Sequence, residues 1–198
     1  MHELVVATRN KGKILEINKL LDIPGLRLRS ILDFPSVPET VEDRETLEGN
    51  SLKKAREAFS ATHIPSIADD SGLEVYSLDM RPGVYSARYA GEHVTYEQNN
   101  KKLLFELKEV PPLERLARFR CVASFVANDE EKVFEGKCEG TILQAARGDG
   151  GFGYDPLFMP VGYNQSFAEL PINIKNAISH RAKAFLELRN FLLKYFSL

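Results

Sequence analysis

Four short stretches carry residue types that could do chemistry, each beside a folding role that would use the same residues. In Thr8-Arg9-Asn10-Lys11-Gly12-Lys13 an apolar run gives way to a helical pattern. A loop there leaves backbone N–H groups without partners at a helix start, which favours anions, and Lys13 adds a point charge suited to phosphate. A capped helix start with solvated lysines would use the same residues. In Ile67-Ala68-Asp69-Asp70-Ser71-Gly72 two carboxylates stand side by side at an apolar run's end. Neighbouring anions need compensation, so the pair suggests oxygen ligands for a hard ion such as Mg2+, against the alternative of solvent-facing aspartates in a turn. Glu39, Glu42 and Glu45, in the loop upstream, offer a further oxygen.

The third stretch, Gly148-Asp149-Gly150-Gly151-Phe152-Gly153-Tyr154-Asp155-Pro156, contains a literal GxGxxG. A dinucleotide fingerprint needs a helix opening at its last glycines, and here Pro156 and Pro160 follow with no helical period. A glycine loop bearing Phe152 and Tyr154 beside Asp155 suits a platform on which a flat ring stacks, or simply a structural turn. In the fourth, Lys175-Asn176-Ala177-Ile178-Ser179-His180-Arg181, Ser179 can cap a final helix whose first turn holds His180 and Arg181. Cations there oppose the helix dipole, so the pair, with Lys183 nearby, points to a ligand, although surface decoration is the commoner use. No Walker A loop, HExxH or GxSxG occurs.

The elements that must position these groups alternate early and change character later. Glu3 to Thr8 is expected as a buried strand, Gly12 to Leu21 as a helix, Leu26 to Ile31 as a strand, and Phe34 to Glu45 as a loop. A helix carries Leu52, Ala55, Phe59 and Thr62 on one face, and two strands, Ile67 to Asp70 and Leu73 to Ser77, flank a turn at Ser71-Gly72. Arg81 to Gly91 is expected as an ordered loop and Tyr96 to Leu107 as a helix. A period-2 run from Phe119 to Ala127 turns at Asn128-Asp129 into a partner strand from Lys132 to Ile142, and a helix from about Ser179 to Phe196 closes the chain. The fold class is therefore α/β, with a mixed sheet flanked by helices.

The 198 residues are 43% hydrophobic and 27% charged, which places them among globular chains and excludes disordered and low-complexity classes. With 26 Lys plus Arg against 28 Asp plus Glu, no global field draws the chain to nucleic acid or anionic lipid, so a polyanion must be met by a local site. No uncharged stretch approaches a membrane span and the first apolar run is too short for a signal peptide, giving the expectation of a soluble, cytoplasmic protein. Cys121 and Cys138 lack metal-site spacing and are expected as buried thiols.

Together the motifs resemble the inosine triphosphate pyrophosphatase family. The match runs in order through the Thr8–Lys13 loop, Ala68-Asp69-Asp70-Ser71-Gly72, Pro82-Gly83-Val84-Tyr85-Ser86-Ala87-Arg88-Tyr89, Gly151-Phe152-Gly153-Tyr154-Asp155-Pro156 and Ser179-His180-Arg181. The resemblance implies one two-lobed domain over residues 1–198, with a long mixed central sheet and a cleft between its lobes, assembled as a homodimer. It implies Mg2+-dependent hydrolysis, with Mn2+ as a possible substitute, of deaminated purine nucleoside triphosphates (ITP, dITP, XTP) to monophosphate and pyrophosphate. Carried over residue by residue, Asp70 and Lys13 are catalytic, Glu42 and Asp70 hold the metal, and Thr8, Arg9, Asn10, Lys11, Gly12, Lys13 and Lys54 meet the triphosphate. Ser71, Phe152, Gly153, Tyr154, Asp155, Lys175, His180 and Arg181 complete the nucleotide contacts, and donors on His180 and Arg181 would select a 6-oxopurine over adenine.

One stretch departs from the family's pattern: Arg44 stands for its glycine, Leu47 for its phenylalanine, Gly49 for its glutamate and Ser51 for its alanine. That leaves Glu39 and Glu45 as rivals to Glu42 for the metal. A pyrophosphatase for modified pyrimidine or methylated nucleotides, and a nucleotide sensor without turnover, are the alternative functions. Neither nucleic acid nor a membrane is expected as a partner.

Overall fold

The computed structural model describes residues 1–198. Six strands, β1 (His2–Val6), β2 (Leu26–Ser30), β3 (Ser66–Val75), β4 (Leu116–Val126), β5 (Glu131–Ile142) and β6 (Phe158–Pro160), form one sheet in the order β2-β1-β3-β4-β5-β6. Five helices accompany them: α1 (Lys11–Leu20), α2 (Leu47–Thr62), α3 (Tyr96–Glu106), α4 (Ile172–Ile178) and α5 (His180–Tyr195). The sheet is mixed: β1 runs parallel to β2 and β3, while β5 and β6 are antiparallel. A four-residue link, closed by the Ala127 N–H donating to Glu130 O at 2.9 Å, joins neighbouring β4 and β5, and so short a link permits only a hairpin. The α/β class and mixed sheet match the sequence-based expectation.

The chain forms two compact units. The first comprises Met1–Asp70, Cys121–Gly136 and Arg181–Leu198. Its central strand β1 is buried on both faces, which is why Leu4 to Ala7 is continuously apolar rather than alternating. Leu4 and Val6 pack with Ile17 and Leu21 at α1 and with Phe185, Leu188 and Leu192 of α5; Val5 and Ala7 pack with Ala55 and Ala58 of α2. Asn10 caps α1 by accepting the Lys13 N–H at 3.1 Å, and Thr46 caps α2 by accepting the Gly49 N–H at 3.0 Å.

The second unit comprises Ser71–Arg120 and Lys137–His180. Leu73 and Val75 pack there with Leu103, Leu107, Phe119, Phe158 and Phe167. The expected Ser71-Gly72 turn is absent, because β3 runs through both residues without a break. Gly72 is required for a different reason: a Cβ there would collide with the carbonyl oxygen of Gly83. Ser86 seals that approach, accepting the Leu73 N–H at 2.9 Å and donating to Gly83 O at 2.6 Å. Strand β6 and helix α4 lie outside the elements that the sequence pattern marks, and Cys121 and Cys138 are buried thiols as expected. No helix is long and apolar enough to cross a membrane.

Candidate active site

In the first unit the pleat of β3 decides what the adjacent aspartates do, since successive residues on a strand face opposite ways. Ile67 packs in the cluster with α1 and α5, whereas Ala68 packs in the cluster with α2. By the same alternation Asp69 goes with Ile67 and Asp70 with Ala68. Asp69 is fully buried; its Oδ2 lies 3.1 Å from Lys13 Nζ and accepts from Arg181 Nε at 3.2 Å and Nη2 at 3.1 Å. The Arg181 Nη1 donates to Glu16, a buried carboxylate on α1. Burial alone would push the Asp69 carboxyl up, yet Lys13, Arg181 and Lys54 hold it far below the usual carboxylate range.

Asp70 meets a less favourable balance of charges. Lys54 Nζ on α2 lies 3.5 Å from Asp70 Oδ1 and donates to Glu42 Oε1 at 2.6 Å. Burial pushes the Asp70 carboxyl up, Glu42 and Asp69 add repulsion, and Lys54 and Lys13 offset only part of it. Glu42 also suffers burial, but Lys54 outweighs that and leaves its carboxyl below the ordinary value. Lys54 is itself penalised by burial and, with Asp70 and Glu42 facing it, ends above its usual value. The loop that departs from the family pattern thus aims Glu42 inward, while Glu39 and Glu45 are exposed.

Two of the departures compensate one another. A Cβ on Gly49 would press on the Arg44 Cβ, so the side chain gained at residue 44 occupies room given up at residue 49. Buried Asn50 then fixes the Arg44 backbone, accepting its N–H at 3.0 Å and donating to its carbonyl at 3.4 Å.

The other expected phosphate ligands gather at the start of α1. Arg9 donates to Val37 O at 2.6 Å, Thr8 Oγ1 accepts the Asn10 N–H at 3.2 Å, and Lys11 and Gly12 open the helix. The α1 amides that lack intrahelical acceptors are therefore close in sequence to Lys13.

In the second unit, Gly148, Gly151 and Gly153 adopt positive φ and the chain passes from them through a single 3-10 turn into β6 with no α-helix opening there, so the loop is no dinucleotide fingerprint. Asp155 works inside it. Its Oδ2 accepts the Phe152 N–H at 2.8 Å and pairs with Lys175 Nζ at 2.7 Å, in a space that a Cβ on Gly151 would fill. The Lys175 ammonium also sits 4.9 Å from the Phe152 ring centre. The two aromatics divide: Tyr154 is buried and donates from its hydroxyl to Ser86 O at 2.9 Å, whereas Phe152 is half-buried. Buried His180 stacks on Phe119 with ring centres 4.7 Å apart, and Ser71 is half-buried on β3.

Glu16 is the participant the sequence did not disclose. A carboxylate on a short helix ordinarily faces water, and its partner Arg181 lies 165 residues away in the chain. The only local signal is its neighbour Ile17, which shows that this side of α1 faces the core.

A model of the Ham1 family matches residues 4–191. The chain belongs to that family. Among its relatives, the dITP/XTP pyrophosphatase of Geobacter sulfurreducens is 51% identical over 193 residues, 97% of each chain. That of Desulforamulus reducens is 50% identical over 92% of this chain and 91% of its own. The solved structure of a HAM1 protein from Coxiella burnetii superposes with a TM-score of 0.90 at 37% identity, covering 98% of this chain and all of that one. The Ham1 family thus coincides with the one the motifs resembled.

Proposed function

We propose that this Ham1 family member hydrolyses deaminated purine nucleoside triphosphates (ITP, dITP and XTP) to the monophosphate and pyrophosphate, acting as one domain over its whole length. The observation that carries the proposal is the pair of carboxylates, Glu42 and Asp70, converging on the ammonium of Lys54. The names of the relatives supply the substrate class.

No three His, Cys, Asp or Glu side chains gather to hold an ion unaided. The donor set nevertheless fits Mg2+, which is commonly bound through one or two carboxylates with phosphate and water completing its shell. Glu42 and Asp70 would hold it, Mn2+ being an alternative. When bound, the ion supplies charge to offset the phosphate oxygens.

The chain's own residues then divide the work. The α1 amides with Thr8, Arg9, Asn10, Lys11 and Gly12 receive the triphosphate, and Lys13 and Lys54 stabilise charge that builds on it. Asp70, its carboxyl raised by burial and by Glu42, orients water at the α-phosphorus and takes its proton. Phe152 offers its ring face to the base, with Gly153, Asp155 and Lys175 shaping that loop, and Ser71 and Tyr154 lining it. His180 is assigned to the base edge. Arg181 enters as the strut that fixes Asp69 behind Lys13, since its guanidinium is committed to Asp69 and Glu16. We propose a homodimer as the assembly and the cytoplasm as the location, with no role for nucleic acid or a membrane.

The test is pyrophosphate release, read as phosphate after inorganic pyrophosphatase, over ITP, dITP, XTP, ATP, GTP and dUTP. The expected result is turnover of the first three far above the rest. Preference for ATP or dUTP would overturn the substrate class, and tight binding of ITP without pyrophosphate release would overturn the reaction.

A further inference from the structure

Phe152 sits between two positive-φ glycines, Gly151 at +72° and Gly153 at +63°, so its backbone is poorly fixed by local geometry. Two restraints come from its own motif cluster, the Asp155 carboxylate on its N–H and the Lys175 ammonium on its ring. Two more come from α3, which carries none of the motifs. Asn100 Nδ2 donates to Gly153 O at 3.1 Å, and the Tyr96 ring lies against Phe152 with centres 6.3 Å apart at 38°.

The helix is built to hold that face still. Tyr96 and Asn100 are one turn apart and therefore neighbours on its surface, and Leu103 and Leu107, further along, are fully buried in the core. Its start is locked by a capping box in which Thr95 Oγ1 accepts the Gln98 N–H at 3.2 Å and Gln98 Oε1 accepts the Thr95 N–H at 2.7 Å. The orientation of the Asn100 amide follows from its partner: a carbonyl needs the NH2 side, and Oδ1 is left buried with no hydrogen bond.

We propose that Tyr96 and Asn100 are positioning residues for the nucleobase: they fix the Phe152 ring and thereby set how tightly a purine stacks on it. The inference rests on the base-stacking role proposed above for Phe152. Asn100 acts through the Gly153 carbonyl, and Tyr96 through its ring.

The test compares Tyr96→Ala, Asn100→Ala, Tyr96→Phe and Phe152→Ala in dITP hydrolysis, each checked for an unchanged melting profile, with inorganic tripolyphosphate as a competitive probe of the phosphate end. Aromatic pairs and base stacking are each worth little individually, so Tyr96→Ala and Asn100→Ala are expected to raise KM about 2- to 10-fold with kcat nearly constant. That split marks lost binding, equal in ground and transition states. Tyr96→Phe should restore the wild-type KM, and tripolyphosphate inhibition should not change in any variant. If Phe152→Ala raises KM while the two α3 variants leave it unchanged, the proposal fails and the base platform stands. An unchanged KM in Phe152→Ala removes the platform and the proposal together. Weakened tripolyphosphate binding in step with KM, or a Tyr96→Phe variant as impaired as Tyr96→Ala, would show general loosening in place of positioning and overturn the proposal.

Discussion

Asp69 and Asp70 are consecutive, chemically identical and both buried, yet they sit in opposite electrostatic surroundings. On one side of β3, Asp69 pairs with Lys13 and Arg181, and Arg181 pairs with Glu16. On the other, Asp70 and Glu42 share Lys54 as their nearest cation, with Lys13 acting on both from further away. The first carboxyl is driven far below its usual range and the second above it. Position on the pleat, one residue apart, therefore separates an ion-pair strut from a group suited to hold a cation and move a proton.

The contrast breaks if the Asp70 side needs no cation. Chelating divalent ions with EDTA is expected to abolish pyrophosphate release, with recovery on adding Mg2+ or Mn2+; turnover persisting in EDTA would remove the metal role of Glu42 and Asp70. On the Asp69 side the expected damage is to stability. Removing one partner of a buried ion pair costs roughly 3–5 kcal/mol, so Asp69→Asn should lower the melting temperature by about 6–20 °C for a chain of this size. A melting point within a degree or two of wild type would contradict the strut.

Lys13 touches both roles, pairing with Asp69 and facing the proposed phosphate site. Loss of one charge-assisted contact is worth about 1.5–3 kcal/mol, so Lys13→Ala should reduce kcat/KM roughly 10- to 100-fold. An unchanged kcat/KM would confine Lys13 to the strut. The smallest effect is expected of Glu16→Gln, which keeps a hydrogen bond to Arg181 and loses its charge. Such a change costs about 1 kcal/mol, or about 2–4 °C in melting temperature. A larger fall in activity than in stability would give Glu16 a catalytic role that its contacts do not suggest.

Much of this was legible in the residues. The apolar run of β1, the helical period of α1 and α5 and the alternation of β4 follow directly from side-chain periodicity, and the Thr8–Lys13 motif lies at the strand-to-helix junction expected of it. What escaped depends on contacts between distant parts of the chain. Asp69 and Asp70 read as one paired site because sequence shows adjacency and conceals the pleat. Gly72 read as a turn because a glycine required for close backbone approach looks the same as one required for a positive φ. Arg181, expected at the base, has its donors on Asp69 and Glu16, and Tyr154 has its hydroxyl on Ser86, pairings that no local pattern encodes. Strand β6 has only three residues, too few for a period to show.

The most direct test of the separation is to prepare Asp69→Asn and Asp70→Asn side by side and measure, for each, the melting temperature and kcat/KM for dITP with saturating Mg2+ well below both melting points. Asp70→Asn is expected to melt close to wild type and to lose more than ~100-fold in kcat/KM, the scale of a removed general base. Asp69→Asn is expected to melt much lower and to lose far less activity. Near-normal turnover in a folded Asp70→Asn, or equal losses of activity and stability in the two variants, would contradict that separation.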